Sequence, residues 1–145
     1  MRKIYILQIL LILWLITVFY MIFPINAKAD NGQDERPMVA FTFDDGPNCV
    51  QTARLLDGLK KRNAKATFFV VGEKLDYETG KYSEKTVTQS RALVKRMASE
   101  GHTVANHSYS HCWLSKATRE KVTYELRKTN ELITQITGQP VKYMR

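Results

Sequence analysis

Asp44 and Asp45 stand side by side in Thr42-Phe43-Asp44-Asp45-Gly46-Pro47. Two neighbouring carboxylates repel, so the pair needs a proton, a cation or a basic partner. Adjacent residues of a strand point to opposite faces, so both acids reach one pocket only where the strand ends and the backbone bends. Gly46 and Pro47 supply that bend. A second cluster, His107-Ser108-Tyr109-Ser110-His111, sets two imidazoles four residues apart. On a helical turn that spacing puts both on one face, where they can converge on one cation. One carboxylate oxygen with two imidazole nitrogens is a common catalytic zinc set that leaves positions open for water and substrate. Each cluster also has a bland reading, a solvated turn for the acids and a structural pair for the histidines.

The elements that must position these residues alternate along the chain. Met38–Phe43 reads as a buried strand. Cys49–Arg62 follows as a helix with Val50, Ala53, Leu56 and Leu59 at helical spacing and Asn48 as its cap. Ala66–Gly72 is a second apolar run, too short for a helix and rich in strand formers. Glu73–Ser83 is polar and reads as a loop. Lys85–Glu100 is a helix with Val87, Leu93, Val94 and Met97 inward, stopped at Gly101. His102–Asn106 is a short third strand. Ala117–Thr137 is a helix with Val122, Leu126, Ile133 and Ile136 on one face, and Val141–Met144 begins a fourth strand. Strands alternating with helices predict an α/β fold, a parallel sheet or barrel with helices outside. Both chemical clusters then follow the C-terminal ends of strands, the edge where α/β folds bind ligands. Three βα units cover such a sheet poorly, so the chain reads as an incomplete domain.

The chain has 145 residues, a hydrophobic fraction of 44% and a formal charge of +8. Arg2 and Lys3 precede an apolar run from Ile4 to Phe23 broken only by Gln8 and Thr17, and Ala27-Lys28-Ala29 offers a small-x-small exit. Residues 1–29 therefore read as a signal peptide or an uncleaved membrane anchor, and residues 30–37 as a linker. Either outcome exports the domain, to the cell surface or the medium, with the membrane as a partner if the helix is retained. The basic excess is spread along the chain without a groove-reading motif, which argues against nucleic acid. Cys49 and Cys112 are too few to define a disulfide scaffold and read as separate thiols.

At this point the residues resemble a known family. Thr42-Phe43-Asp44-Asp45-Gly46-Pro47 is similar to the Thr-Phe-Asp-Asp-Gly motif of the polysaccharide deacetylases (NodB homology domain, carbohydrate esterase family 4). Asn106-His107-Ser108-Tyr109-Ser110-His111 resembles their His-[Ser/Thr]-x-x-His motif, and Ala66–Gly72 and Glu100–Asn106 resemble the flanking strands. The resemblance runs over residues 38–145. It implies the N-terminal part of a distorted (β/α) barrel preceded by an apolar helix, with the rest of the third motif and all later motifs beyond Arg145. It implies Asp44 as general base, Arg145 as the residue that orients it, and Asp45, His107 and His111 as ligands of a divalent metal, zinc first, with cobalt or another ion as alternatives. Tyr109 and Trp113, beside the ligands, are candidates to line a sugar subsite, with packing under the loop as the other reading of Trp113. His102, near the start of its strand, reads as structural.

The implied reaction is hydrolysis of N-acetyl groups on GlcNAc-containing polysaccharide, with cell-wall peptidoglycan the first substrate. Chitin oligomers, exopolysaccharide and acetyl-xylan are the alternatives. An inactive fragment that binds metal or glycan, and a different metal hydrolase on a barrel, are the competing classes.

Overall fold

The structure, a computed structural model, describes residues 12–15, 17–18 and 38–145. Apart from those two short helical pieces, the expected leader helix and linker lie outside the described residues. Among the described residues no helix is long and apolar enough to cross a membrane.

Strands β1 (Phe41–Gly46), β2 (Ala66–Val70) and β3 (Thr103–Asn106) form a parallel sheet in the order β1-β2-β3. Helices α1 (Gln51–Lys61), α2 (Glu84–Ser99) and α3 (Arg119–Thr137) alternate with them. The expected α/β alternation is present. The polar stretch expected as loop contains two 3₁₀ turns, Gly72–Leu75 and Tyr77–Thr79, and buries Leu75 completely. Helix ends follow local chemistry. Asn48 Oδ1 accepts from the backbone N–H groups of Val50 and Gln51 at the start of α1. Ser83 and Thr118 cap α2 and α3 by accepting from Thr86 and Lys121. Gly138, at φ 70°, ends α3 in the left-handed conformation that glycine adopts without strain.

Two expectations are corrected. The first strand begins at Phe41 rather than Met38 and is not buried. Met38 and Val39 are 97% and 75% exposed. β1 pairs only with β2 among the described residues, so it is a sheet edge, and Phe43 stacked on Phe68 (centroids 5.4 Å apart) is its main link to the core. The buried face of α3 centres on Glu125, Thr129, Leu132 and Ile133, while Val122, Leu126 and Ile136 are only partly covered. The expected start of a fourth strand is present as a parallel bridge of Met144 beside β3: Asn106 N–H donates to the Tyr143 carbonyl and Arg145 N–H to the Asn106 carbonyl, each at 3.0 Å.

Leu56, Val70, Leu75, Val94 and Met97 are fully buried at the centre of the core. Each contributes roughly 1.5–3 kcal/mol by burial. Past the sheet, the segments after β2 and β3 lie side by side. His107 N–H donates to the Val70 carbonyl, Gly72 N–H to Ser108 and Glu73 N–H to Tyr109, at 2.9–3.0 Å. This close approach requires a glycine. A Cβ on Gly72 would run into Thr129 Oγ1 and stand 2.9 Å from the Tyr109 ring. Gly72→Ala is expected to cost about 1–3 kcal/mol. Denaturant unfolding checks this, and an unchanged midpoint would show that the neighbours yield freely.

Candidate metal centre

The site lies past the C-terminal ends of β1 and β3. The pairing of β1 with β2 shifts between Phe43 and Gly46, and Asp45 there adopts φ 60°. The backbone thus turns at Asp45 itself, ahead of the Gly46–Pro47 peptide, which is cis. Lys74 Nζ donates to the Asp45 carbonyl at 2.6 Å and holds this turn.

The histidine cluster is not a helical turn, contrary to the geometry expected from its spacing. It is an irregular loop in which Ser108 and His111 take left-handed conformations (φ 59° and 56°). The loop still brings both imidazoles to one carboxylate. His107 Nε2 lies 3.2 Å and His111 Nε2 3.1 Å from Asp45 Oδ1. His107 Nδ1 is 2.7 Å from the Arg145 carbonyl. That oxygen can only accept, so Nδ1 donates to it and Nε2 is left facing Asp45. Ligands at zinc-bond lengths around a tetrahedron stand roughly 3.3 Å apart. The three residues therefore fit a divalent cation.

Asp44 faces a different partner. Arg145 Nη1 lies 3.5 Å from both Asp44 carboxylate oxygens and donates to Thr42 Oγ1 at 3.1 Å. Its guanidinium lies 4.7 Å from the centre of the Phe69 ring. The two adjacent acids are thus divided, one toward imidazoles and one toward a guanidinium.

A family model described as polysaccharide deacetylase matches residues 31–145. The chain belongs to the polysaccharide deacetylase family. It is 39% identical over 119 residues to a peptidoglycan-N-acetylglucosamine deacetylase of Bacillus cereus, covering 82% of this chain and 39% of that protein. It is 35% identical over 111 residues to a peptidoglycan-N-acetylmuramic acid deacetylase of Bacillus subtilis, covering 77% and 21%. Its fold matches that of a family 4 acetyl xylan esterase from Clostridium thermocellum in complex with a cobalt ion, with a TM-score of 0.64 and 37% identity over 75% of this chain and 48% of the other. The chain spans less than half the length of each.

Other predicted residues of this deacetylase-family chain fall in varied places. Tyr109 turns inward: its ring packs on the core and its hydroxyl donates to Asp76 Oδ2 at 2.9 Å. Burial, with the adjacent Asp76 carboxylate, pushes its phenol well above the ordinary value. Its hydroxyl is therefore committed to the interior and not free for a sugar. Trp113 is 69% exposed, which removes packing under the loop, and Lys116 Nζ sits 3.9 Å from the ring centre. His102 is buried, and its Nδ1 accepts from Ala66 N–H at 3.2 Å. Its Nε2 and Glu100 Oε2 are buried without hydrogen-bond partners, 3.9 Å apart, and burial lowers its pKa. Cys49 and Cys112 are free, half-buried thiols.

Sequence reasoning missed two buried carboxylates. Asp76 accepts from Glu78 N–H, Tyr109 Oη and Lys128 Nζ. Glu125 accepts from Tyr109 N–H, Ser110 N–H and Ser110 Oγ, each at 2.7 Å, and from Lys121 Nζ at 2.8 Å. Burial alone would raise both carboxyls, but these donors outweigh it and hold each below its ordinary value. A depressed carboxyl contributes stability that is present above its unfolded-state pKa and lost as pH falls through the folded-state value. For Asp76 that window lies below its model-compound value of 3.8. Asp76→Asn is expected to cost roughly 1–3 kcal/mol at pH 7. It should also flatten the fall in Tm below pH 4. Thermal melts from pH 7 to 3 check both, and a variant with the parent's acid slope would deny Asp76 this role.

Proposed function

We propose that this chain carries the metal and base portion of a hydrolase that removes N-acetyl groups from GlcNAc-containing polysaccharide, with peptidoglycan the first substrate. One observation carries the reading: a carboxylate–imidazole–imidazole cluster and a guanidinium-paired second carboxylate meet past the same sheet edge. The names of the Bacillus relatives support peptidoglycan. The basic-then-apolar start of the chain supports export to the cell surface, where that substrate lies. Chitin oligomers and acetylated xylan remain the alternatives, in line with the names of a Rhizobium chitooligosaccharide deacetylase and the Clostridium esterase.

Asp45, His107 and His111 would hold the divalent ion, zinc first and cobalt as an alternative. When bound, such an ion supplies Lewis acidity, which makes water a better nucleophile and an acetyl carbonyl a better electrophile. The protein's residues supply the rest. Asp44 would accept the proton of the attacking water. Arg145 would hold that carboxylate in orientation through its guanidinium. Trp113, exposed two residues past His111, offers an aromatic face to a neighbouring sugar.

The deacetylated amine must leave protonated. His102 is buried at the opposite end of β3 from the cluster and cannot serve it. The second reading is a chain that binds metal and glycan without turnover.

Acetate release from acetylated chitooligosaccharide and from peptidoglycan, with added zinc or cobalt, tests the first reading. Release should fall roughly 10²–10⁴-fold in Asp44→Asn with metal binding retained. Metal binding with no acetate release by the parent chain selects the second reading, and no metal binding removes both. Trp113→Ala should raise KM, or the glycan Kd where turnover is absent, about fivefold for roughly 1 kcal/mol of stacking. Unchanged affinity for a longer oligosaccharide would remove Trp113 from the subsite.

A further inference from the structure

The two histidines of the cluster are held very differently. His107 is anchored on several sides. Its side chain is 13% exposed, its Nδ1 donates to the Arg145 carbonyl, its N–H donates to Val70, and its ring lies 6.4 Å from Phe69. The side chain of His111 is 58% exposed, and among the described residues its ion-pair and ring partners are Asp45 and His107. Little around the His111 ring fixes where it points. Its direction must come from its own backbone, which sits at φ 56°, a conformation uncommon for a residue with a Cβ.

The backbone entering His111 is gripped by one side chain. Glu125 is fully buried on α3 and spends both oxygens on this loop. Oε2 accepts from the N–H groups of Tyr109 and Ser110, and Oε1 accepts from the Ser110 hydroxyl and the Lys121 ammonium. Those bonds fix the peptide planes of the two residues before His111. Glu125 is itself immobile. It lies in the middle of a 19-residue helix, with Lys121 one turn before it and the Thr129 hydroxyl donating to its backbone carbonyl one turn after it. A protein seldom buries a carboxylate that serves only its surroundings' stability, because desolvation costs several kcal/mol and a well-packed apolar side chain often does as well.

We propose that Glu125 is a positioning residue for the metal centre, setting the direction of His111 through the Tyr109–Ser110 backbone while leaving His107 to its own anchors. The inference rests on the metal reading given above. A methionine at 125 matches the length of the glutamate and removes both acceptor oxygens, so all four bonds to the loop and to Lys121 are lost. His111 would then sample directions away from Asp45, and the cost falls on metal affinity. Loss of such an outer partner typically weakens metal binding about 10–100-fold.

The test uses the full chain, titrated with Co2+ by its visible absorption, at a temperature where every variant is folded. Glu125→Met should raise the Kd for Co2+ by about 10–100-fold. In the metal-free chain, 15N-labelled imidazole spectra should show the His111 signals moved and broadened while those of His107 keep their positions. Leu56→Ala, a truncation in the α1 core, should lower stability and leave the Kd within twofold. A Glu125→Met affinity within twofold of the parent overturns the proposal, as does an equal disturbance of both imidazoles. If Glu125→Met does not fold, Ser110→Ala, which deletes only the hydroxyl bond to Oε1, carries the test with an expected several-fold loss, and parent-like affinity overturns it. If the parent chain binds no Co2+, the metal reading fails. The imidazole spectra then still decide whether Glu125 orients His111.

Discussion

Asp45 Oδ1 stands within 3.2 Å of two imidazole nitrogens, and the scaffold brings these three side chains together from two separate loops as one cluster. Three residues with a Cβ (Asp45, Ser108 and His111) hold positive φ around it. Each such residue costs of order 1–3 kcal/mol. The sheet, the two loops beyond it and α3 can be understood as what holds those conformations. Asp45, His107 and His111 offer three ligand atoms close enough together to share one cation.

The counterweight is a small set of buried polar contacts. Lys121, Glu125 and Lys128 occupy positions i, i+4 and i+7 of α3 and so share one face. Glu125 takes the Tyr109–Ser110 backbone, and Lys128 supports Asp76, which takes the Tyr109 hydroxyl. The five-residue loop is thereby gripped from the helix and from the segment after β2. Each carboxylate gives up hydration worth several kcal/mol and recovers it in charge-assisted bonds. The net gain in stability is small. What the network provides is a single loop conformation, whereas an apolar patch would stabilise many.

Much of this was legible in the residues. The alternation of strand and helix, the inward face of α2, the Asn48 cap and the meeting of Asp45 with His107 and His111 all follow from local chemistry or motif. What was not legible depends on neighbours distant in sequence. Met38–Phe41 has the composition of a buried strand, yet β1 is a sheet edge, and hydropathy does not record how many strands flank a segment. Glu125 sits among Lys121, Glu120 and Arg127 and looks like one more surface charge of an amphipathic helix. Only the register of α3 against the histidine loop turns it inward. A signal existed in that α3 buries a polar stripe, Glu125 and Thr129, between apolar positions, but without the loop's place that stripe had no meaning. The histidines converge as expected, but through left-handed loop residues, since i, i+4 spacing is also compatible with a non-helical turn.

Arg145 shows how closely the two acids are coupled. Its carbonyl sets the tautomer of a candidate metal ligand, and its guanidinium faces the candidate base. Its N–H, meanwhile, donates to the Asn106 carbonyl in the bridge beside β3. Asn106 in turn accepts from Ser108 N–H at 2.7 Å and donates to Asn130 of α3. One residue thus joins the turn that carries Asp44 to the loop that carries His107 through three different groups. Displacing its backbone would disturb the proton on His107 and the orientation of Asp44 together. In this fold the metal and base functions are therefore not separable modules. They share one residue, and the bridge after α3 contributes to the site.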